Sequence, residues 1–148
     1  LPEYYPCESH RIKEPGFALY GFYYRHVLHT NAYTQQNSWL NEVSEFDPYI
    51  YYVQIHKDTA AKKGISDGDM IIIENVKGRK VKGRARLVDG IHPEHIAIAA
   101  CAGHWTKHQP IARGKGVHYN TLIEVRKEYM DPISFNQDIC VKVKVYKE

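Results

Sequence analysis

The cleanest two-residue period in the chain runs from Lys80 to Val88. Val81, Gly83, Ala85 and Leu87 fall on one side, and Lys80, Lys82, Arg84 and Arg86 on the other. That is a half-buried strand with a basic outer face. Ile139–Tyr146 repeats the pattern, with Ile139, Val141, Val143 and Val145 inward and Lys142 and Lys144 outward. Met70–Ile73 is an unbroken apolar run, which reads as a strand buried on both faces. Phe17–Tyr24, Tyr51–Ile55 and Ile96–Ala100 add three more extended segments rich in aromatic or β-branched residues.

The pieces between the strands are short and carry specific turn chemistry. Lys57–Lys63 reads as a short helix, with Lys62 and Lys63 in the last turn, where cations suit the helix dipole. Gly64 can end it in the left-handed conformation. Ser66-Asp67-Gly68-Asp69 is a tight turn, Lys77-Gly78 a hairpin turn and His92–His95 another turn. Asn37 or Ser38 caps a second short helix through Val43. Leu1–Gly16 carries Pro2, Pro6 and Pro15 and reads as an extended lead-in without helix. Tyr119–Val125 is a short strand or a turn, and Asp131–Asp138 a loop. Six or seven short strands remain. A strand–helix–strand unit wants a parallel crossover while the hairpin is antiparallel, so mixed pairing favours a closed barrel over a sandwich.

Composition narrows the class without naming a function. The chain has 148 residues, enough for one domain with a substantial core, and is 43% hydrophobic and 25% charged. A net charge of +3 is too small to point to nucleic acid. No apolar run approaches the roughly 20 residues that span a bilayer, so no membrane insertion by this chain is expected. The chain starts at Leu1, which reads as a fragment or a processed chain. Cys7, Cys101 and Cys140 lie far apart and form no disulfide framework.

Candidate chemistry lies in loops. Cys101-x-x-His104-x-x-x-His108, His26-x-x-His29 and His92-x-x-His95 have metal-like spacings, but no carboxylate or second cysteine pair completes any of them in sequence. Loop histidines in hydrogen bonds are the plainer reading. Asp67 and Asp69 are turn formers before they are a catalytic pair. No nucleophile elbow, phosphate loop or dinucleotide fingerprint occurs. Two long polar loops stand out. Arg25–Asn37 follows a strand, and its His29–Asn37 part carries many neutral hydrogen-bonding groups. Within Ala102–His118 and just beyond, Gly114–Asn120 offers bare backbone N–H groups beside Lys115 and Asn120. Together they suit a large polar ligand with anionic groups; two solvated loops explain the same residues equally well.

The order and spacing of several short motifs resemble one known family. They are His29-Thr30 through Thr34-Gln35-Gln36-Asn37; Ile55-His56, Ala60, Gly64-Ile65 and Gly68-Asp69; the basic alternating strand; Gly90–Glu94; Gly116 to Asn120; and Asp131-Pro132 before a final Val-x-Val strand. Over nearly its whole length the chain resembles the C-terminal domain of the molybdopterin oxidoreductases, the dimethyl sulfoxide reductase and formate dehydrogenase group. Many members have Thr-Gly-Arg after the first strand, where this chain has Gly21-Phe22-Tyr23-Tyr24-Arg25-His26.

The resemblance implies a mainly β, six-stranded double-psi β-barrel with one or two short helices, residues 17–148, behind the lead-in of residues 1–16. It implies a domain that closes over molybdopterin guanine dinucleotide holding molybdenum or tungsten. The residues it points to for cofactor binding are Arg25, His26, His29, Thr30, Asn31, Thr34, Gln35, Gln36, Gly116 and Asn120. It places no metal ligand and no catalytic residue here, so the chain alone is expected to be catalytically silent. Its expected partners are upstream domains of the same cytoplasmic or periplasmic enzyme and an iron–sulfur electron-transfer subunit. A small stand-alone molybdopterin-binding subunit, and a double-psi barrel used only for interactions, are the alternatives.

Overall fold

The computed structural model describes residues 3–148, so the first two positions of the lead-in lie outside the described residues. Six strands form: β1 Leu19–Tyr24, β2 Tyr52–His56, β3 Met70–Asn75, β4 Lys80–Val88, β5 His95–Ala99 and β6 Val141–Lys147. They close into a barrel in the order β1-β5-β2-β4-β3-β6. β1 pairs parallel with β5 and β2 parallel with β4, and every other neighbouring pair is antiparallel. The fold is the expected closed barrel of six strands, mainly β with few helices.

The alternation read from sequence fills the interior. Val53, Ile55, Ile71, Ile73, Ala85, Ile96, Ile98, Val143 and Val145 are buried in one continuous core. Each fully buried Val or Ile contributes roughly 1.5–3 kcal/mol by leaving water. α2 Ser38–Glu45 is capped by the Asn37 side chain, which accepts from the Leu40 N–H at 3.1 Å. α3 Lys57–Lys62 begins at the ring of His56, whose Nδ1 accepts from Asp58 N–H at 3.2 Å. Gly64, Gly68 and Gly78 have positive φ at the helix end, the tight turn and the hairpin, as their positions in sequence require.

Several expectations need correction. Met70–Ile73 is not buried on both faces: Ile71 and Ile73 point in, while Met70 and Ile72 are half-buried on the wall. The doubly buried strand is β5, where Ala97 and Ala99 on the outer face are covered as well. The parallel partner of β2 is β4, because β3 is placed between β4 and β6. The lead-in contains a one-turn helix, α1 Glu8–Arg11, held by tertiary contact: buried Ser9 donates to the Cys140 carbonyl. Ile139 is 37% exposed and lies before β6. Lys142 is only 8% exposed, with its ammonium 3.4 Å from the Tyr20 ring centroid, a cation–π contact that a polar–apolar pattern does not encode. Of the two readings for Tyr119–Val125 the turn holds: Tyr119–Leu122 is a 3-10 turn.

Candidate functional site

The strand directions bring the two polar loops to one end of the barrel. β1 and β5 are parallel, and β2 is antiparallel to β5. The loop after β1, the loop after β5 and the start of β2 therefore share one rim, the upper rim. The loop after β1 folds into a 3-10 turn, Ala32–Gln36, and then α2. Asn31 caps that turn by accepting from Tyr33 N–H at 3.0 Å.

Buried polar groups pin this loop. His29 is 1% exposed, with Nδ1 2.8 Å from Thr34 Oγ1 and Nε2 2.7 Å from Ser44 Oγ. The Thr34 hydroxyl is also within donating reach of the Asn31 carbonyl, and the Ser44 hydroxyl of that of Leu40. A neutral imidazole has one N–H, so it donates to one of these hydroxyls, and the other must turn its proton toward the ring. Burial lowers the His29 pKa, with His26 adding to the shift, and so favours the neutral ring. Gln35 is fully buried, and its amide donates to Cys101 Sγ at 3.5 Å. Asn41 reaches the Tyr51 hydroxyl at 3.1 Å. Burial, first of several causes, pushes the Tyr51 hydroxyl up to about 12.

The second loop meets the first directly. The Gln36 side-chain oxygen accepts from Ala112 N–H at 2.9 Å, and Lys115 donates to Asn41 and pairs with Glu45. Gly103 has φ +84, and a Cβ there would lie 2.0 Å from the His118 nitrogen. Gly116 has φ +73, and a Cβ would lie 2.6 Å from that of Ala102. These glycines let two backbone runs press together. The chain then crosses the barrel mouth: Val117, Tyr119 and Leu122 join the core. Gly83 of β4 makes room, since a Cβ there would sit 2.3 Å from Val117 Cγ2. The Tyr119 hydroxyl lies 2.6 Å from the carbonyls of both Gly21 and Ile139 and shares its proton between them. Burial raises its pKa well above the usual range. Asn120, on the outer side of the plug, is exposed, and its amide has no partner among the described residues.

The residues singled out from sequence thus divide by environment. His29 and Gln35 are buried struts. His26 is committed too: Nδ1 accepts from Leu28 N–H, and Nε2 lies 3.1 Å from Asp47. Thr34 is half-buried beside His29. Arg25, Thr30, Asn31 and Asn120 are exposed, and Gln36 and Gly116 half-buried, around the mouth. Arg25 donates to the Thr30 carbonyl. Sequence reasoning missed Arg84. Its alternation puts it on the outer face, but only the barrel closure sets it in a cleft of about 530 Å³ beside Gly114–Gly116, with Tyr51 and Lys115. Arg84 donates to the Gly68 carbonyl at 3.3 Å and has no carboxylate partner among the described residues.

The rim thus gathers glycine backbone, Tyr51, Arg84 and Lys115 with the carboxylates of Glu45 and Asp47 around one cleft. Residues 18–138 match the molydopterin dinucleotide binding domain family, and the chain belongs to it. It is 32% identical over 97 residues to the thiosulfate reductase molybdopterin-containing subunit PhsA of Salmonella typhimurium. That match covers 66% of this chain and 12% of the relative. In structure the whole chain superposes on 21% of acetylene hydratase from Pelobacter acetylenicus, with a TM-score of 0.75 and 18% identity, a likeness of fold. The chain thus spans a small part of the proteins it matches.

Proposed function

We propose that this chain is the C-terminal domain of a molybdenum or tungsten oxidoreductase and closes over its molybdopterin guanine dinucleotide. The observation that carries this reading is the family match across residues 18–138, on a chain whose two polar loops meet at one barrel rim. The residues present fit such a group. Thr30, Asn31, Gln36 and Asn120 offer neutral hydroxyl and amide groups to a pterin edge, which has ring nitrogens and a carbonyl. Gly114 has φ +74 with open space where a Cβ would stand, so a ligand can approach its backbone. Arg84, without a carboxylate partner among the described residues, and Arg25 supply charge for phosphate. His29, Thr34 and Gln35 act beneath the surface, holding the loop in position for that contact. The metal of the bound cofactor supplies the redox chemistry; the residues here bind and orient.

The rest of the enzyme covers α2. Trp39, Val43 and Phe46 form a stripe at helical spacing that is exposed in this chain, an apolar face suited to packing against upstream domains. An iron–sulfur electron-transfer subunit then belongs to the assembly and not to this chain.

Asn120→Ala and Arg84→Ala in the full-length protein test the reading, because both side chains are exposed and neither supports the core. Each should weaken cofactor retention by about 1–2 kcal/mol, measured as extractable pterin after dialysis. Pterin content equal to that of the unaltered protein in both variants would sink it.

A further inference from the structure

On the side of the barrel where β6 pairs with β1, the short helix α1 and the approach to β6 bring three soft or borderline ligands together. Cys7 stands at the N-terminal boundary of α1 and His10 lies one turn on, so both fall on one face. Cys140 immediately precedes β6. The two sulfurs and a ring nitrogen of His10 all lie within 4.8 Å of one another. Ligand atoms around a tetrahedral zinc stand about 3.3–3.8 Å apart, given bond lengths near 2.0–2.3 Å, so small side-chain rotations close the remaining gap.

The surroundings hold this geometry. Ser9, between the two α1 ligands, is buried and donates to the Cys140 carbonyl. The Asp138 carboxylate accepts from Cys140 N–H at 2.9 Å, which orients the segment that carries the third ligand. His10 packs edge-on against Tyr20 at 5.3 Å, which sets the ring's direction. Cys7 also lines a cleft of about 260 Å³, leaving a side from which a water can complete the coordination.

We propose that Cys7, His10 and Cys140 form a binding site for a thiophilic divalent cation of the zinc type. The cation ties the lead-in to the start of β6. Binding replaces the two thiol S–H bonds with two sulfur–metal bonds and releases two protons to solvent per cation. No electron transfer is involved.

The test uses the reduced 148-residue chain, titrated with cobalt(II) and then with zinc. One equivalent of cobalt should give thiolate-to-cobalt charge-transfer absorption and the visible bands of tetrahedral cobalt. Zinc should abolish both, with two protons released per zinc. Cys7→Ser or Cys140→Ser should lose the charge-transfer band, and Cys101→Ser should keep it. His10 is exposed, so His10→Ala leaves the fold intact and should weaken binding at least tenfold. No absorption from the folded, reduced chain, absorption that survives Cys140→Ser, or unchanged affinity in His10→Ala would overturn the proposal. So would a Cys7–Cys140 disulfide that forms in air and is not blocked by zinc.

Discussion

The two ends of the barrel are finished by different means. At the lower end the caps and turns use residues close in sequence, while Thr59, donating to the Pro93 carbonyl at 2.6 Å, and Asp67, accepting from Leu87 N–H at 2.8 Å, tie them to the strands. His56 caps α3, Gly64 ends it, and Asp69 accepts from Ser66 N–H at 2.8 Å across the tight turn. Lys147 and that same N–H pull the Asp69 carboxyl below its usual range. At the upper rim the contacts join distant parts of the chain: Gln35 to Cys101, Gln36 to Ala112, Lys115 to Asn41 and Tyr119 to Gly21. Many of these are polar groups in buried or half-buried positions. A buried polar group is stable only when its partners are in place, and Gln35 Oε1 is buried there with none among the described residues. The bonds to Ala112 and Asn41 hold the two loops against each other, the arrangement on which the proposed binding rests.

Glycine substitutions separate the two ends most strongly. Gly68 has φ +82 and open space around its missing Cβ, so Gly68→Val meets backbone strain alone and should cost about 1–3 kcal/mol. Gly103 has φ +84 and also a backbone wall 2.0 Å from the Cβ position. Gly103→Val should therefore cost more than about 4 kcal/mol, or leave the chain unable to fold. Urea unfolding of the two variants checks the contrast, and equal losses would break it.

Acid should act on the rim next. His29 and His118 both have pKa values lowered, in each case mainly by burial. His95, at the lower start of β5, is lowered as well. The unfolded chain then binds more protons than the folded one near and below the ordinary histidine pKa. Their contribution to stability is complete above about pH 6.5 and declines as pH falls toward the lower folded values. His29→Gln should flatten that decline, as followed by urea midpoints across the interval, while costing about 1–3 kcal/mol at neutral pH. An unchanged slope would mean that His29 does not titrate with unfolding. Lys115→Ala removes a half-exposed rim ion pair together with the bond to Asn41 and should change stability by about 1–2 kcal/mol, with the ion-pair share shrinking in high salt.

What the sequence determined by itself was the set of elements whose causes are local. The alternation of Lys80–Val88 is β4 to the residue, and Asn37, Gly64, Gly68 and Gly78 mark caps and turns where the structure has them. Side-chain period and φ preference act over a few residues, so they can be read from a few residues. The mixed pairing pattern pointed to a closed barrel and the resemblance to six strands; the ring order, with β2 beside β4, came from neither. Only the tertiary structure decided which strand lies buried on both faces, since that depends on what packs outside β5. It alone sank Lys142 against Tyr20 and set Val117 into the space that Gly83 leaves. At the rim it turned His29 and Gln35 inward, left Asn31 and Asn120 facing out, and carried Arg84 to the cleft beside Gly114–Gly116. It also joined Cys7 and His10 to Cys140 from the far end of the chain. Each of these depends on the distance between atoms far apart in sequence, and only chain closure sets that distance.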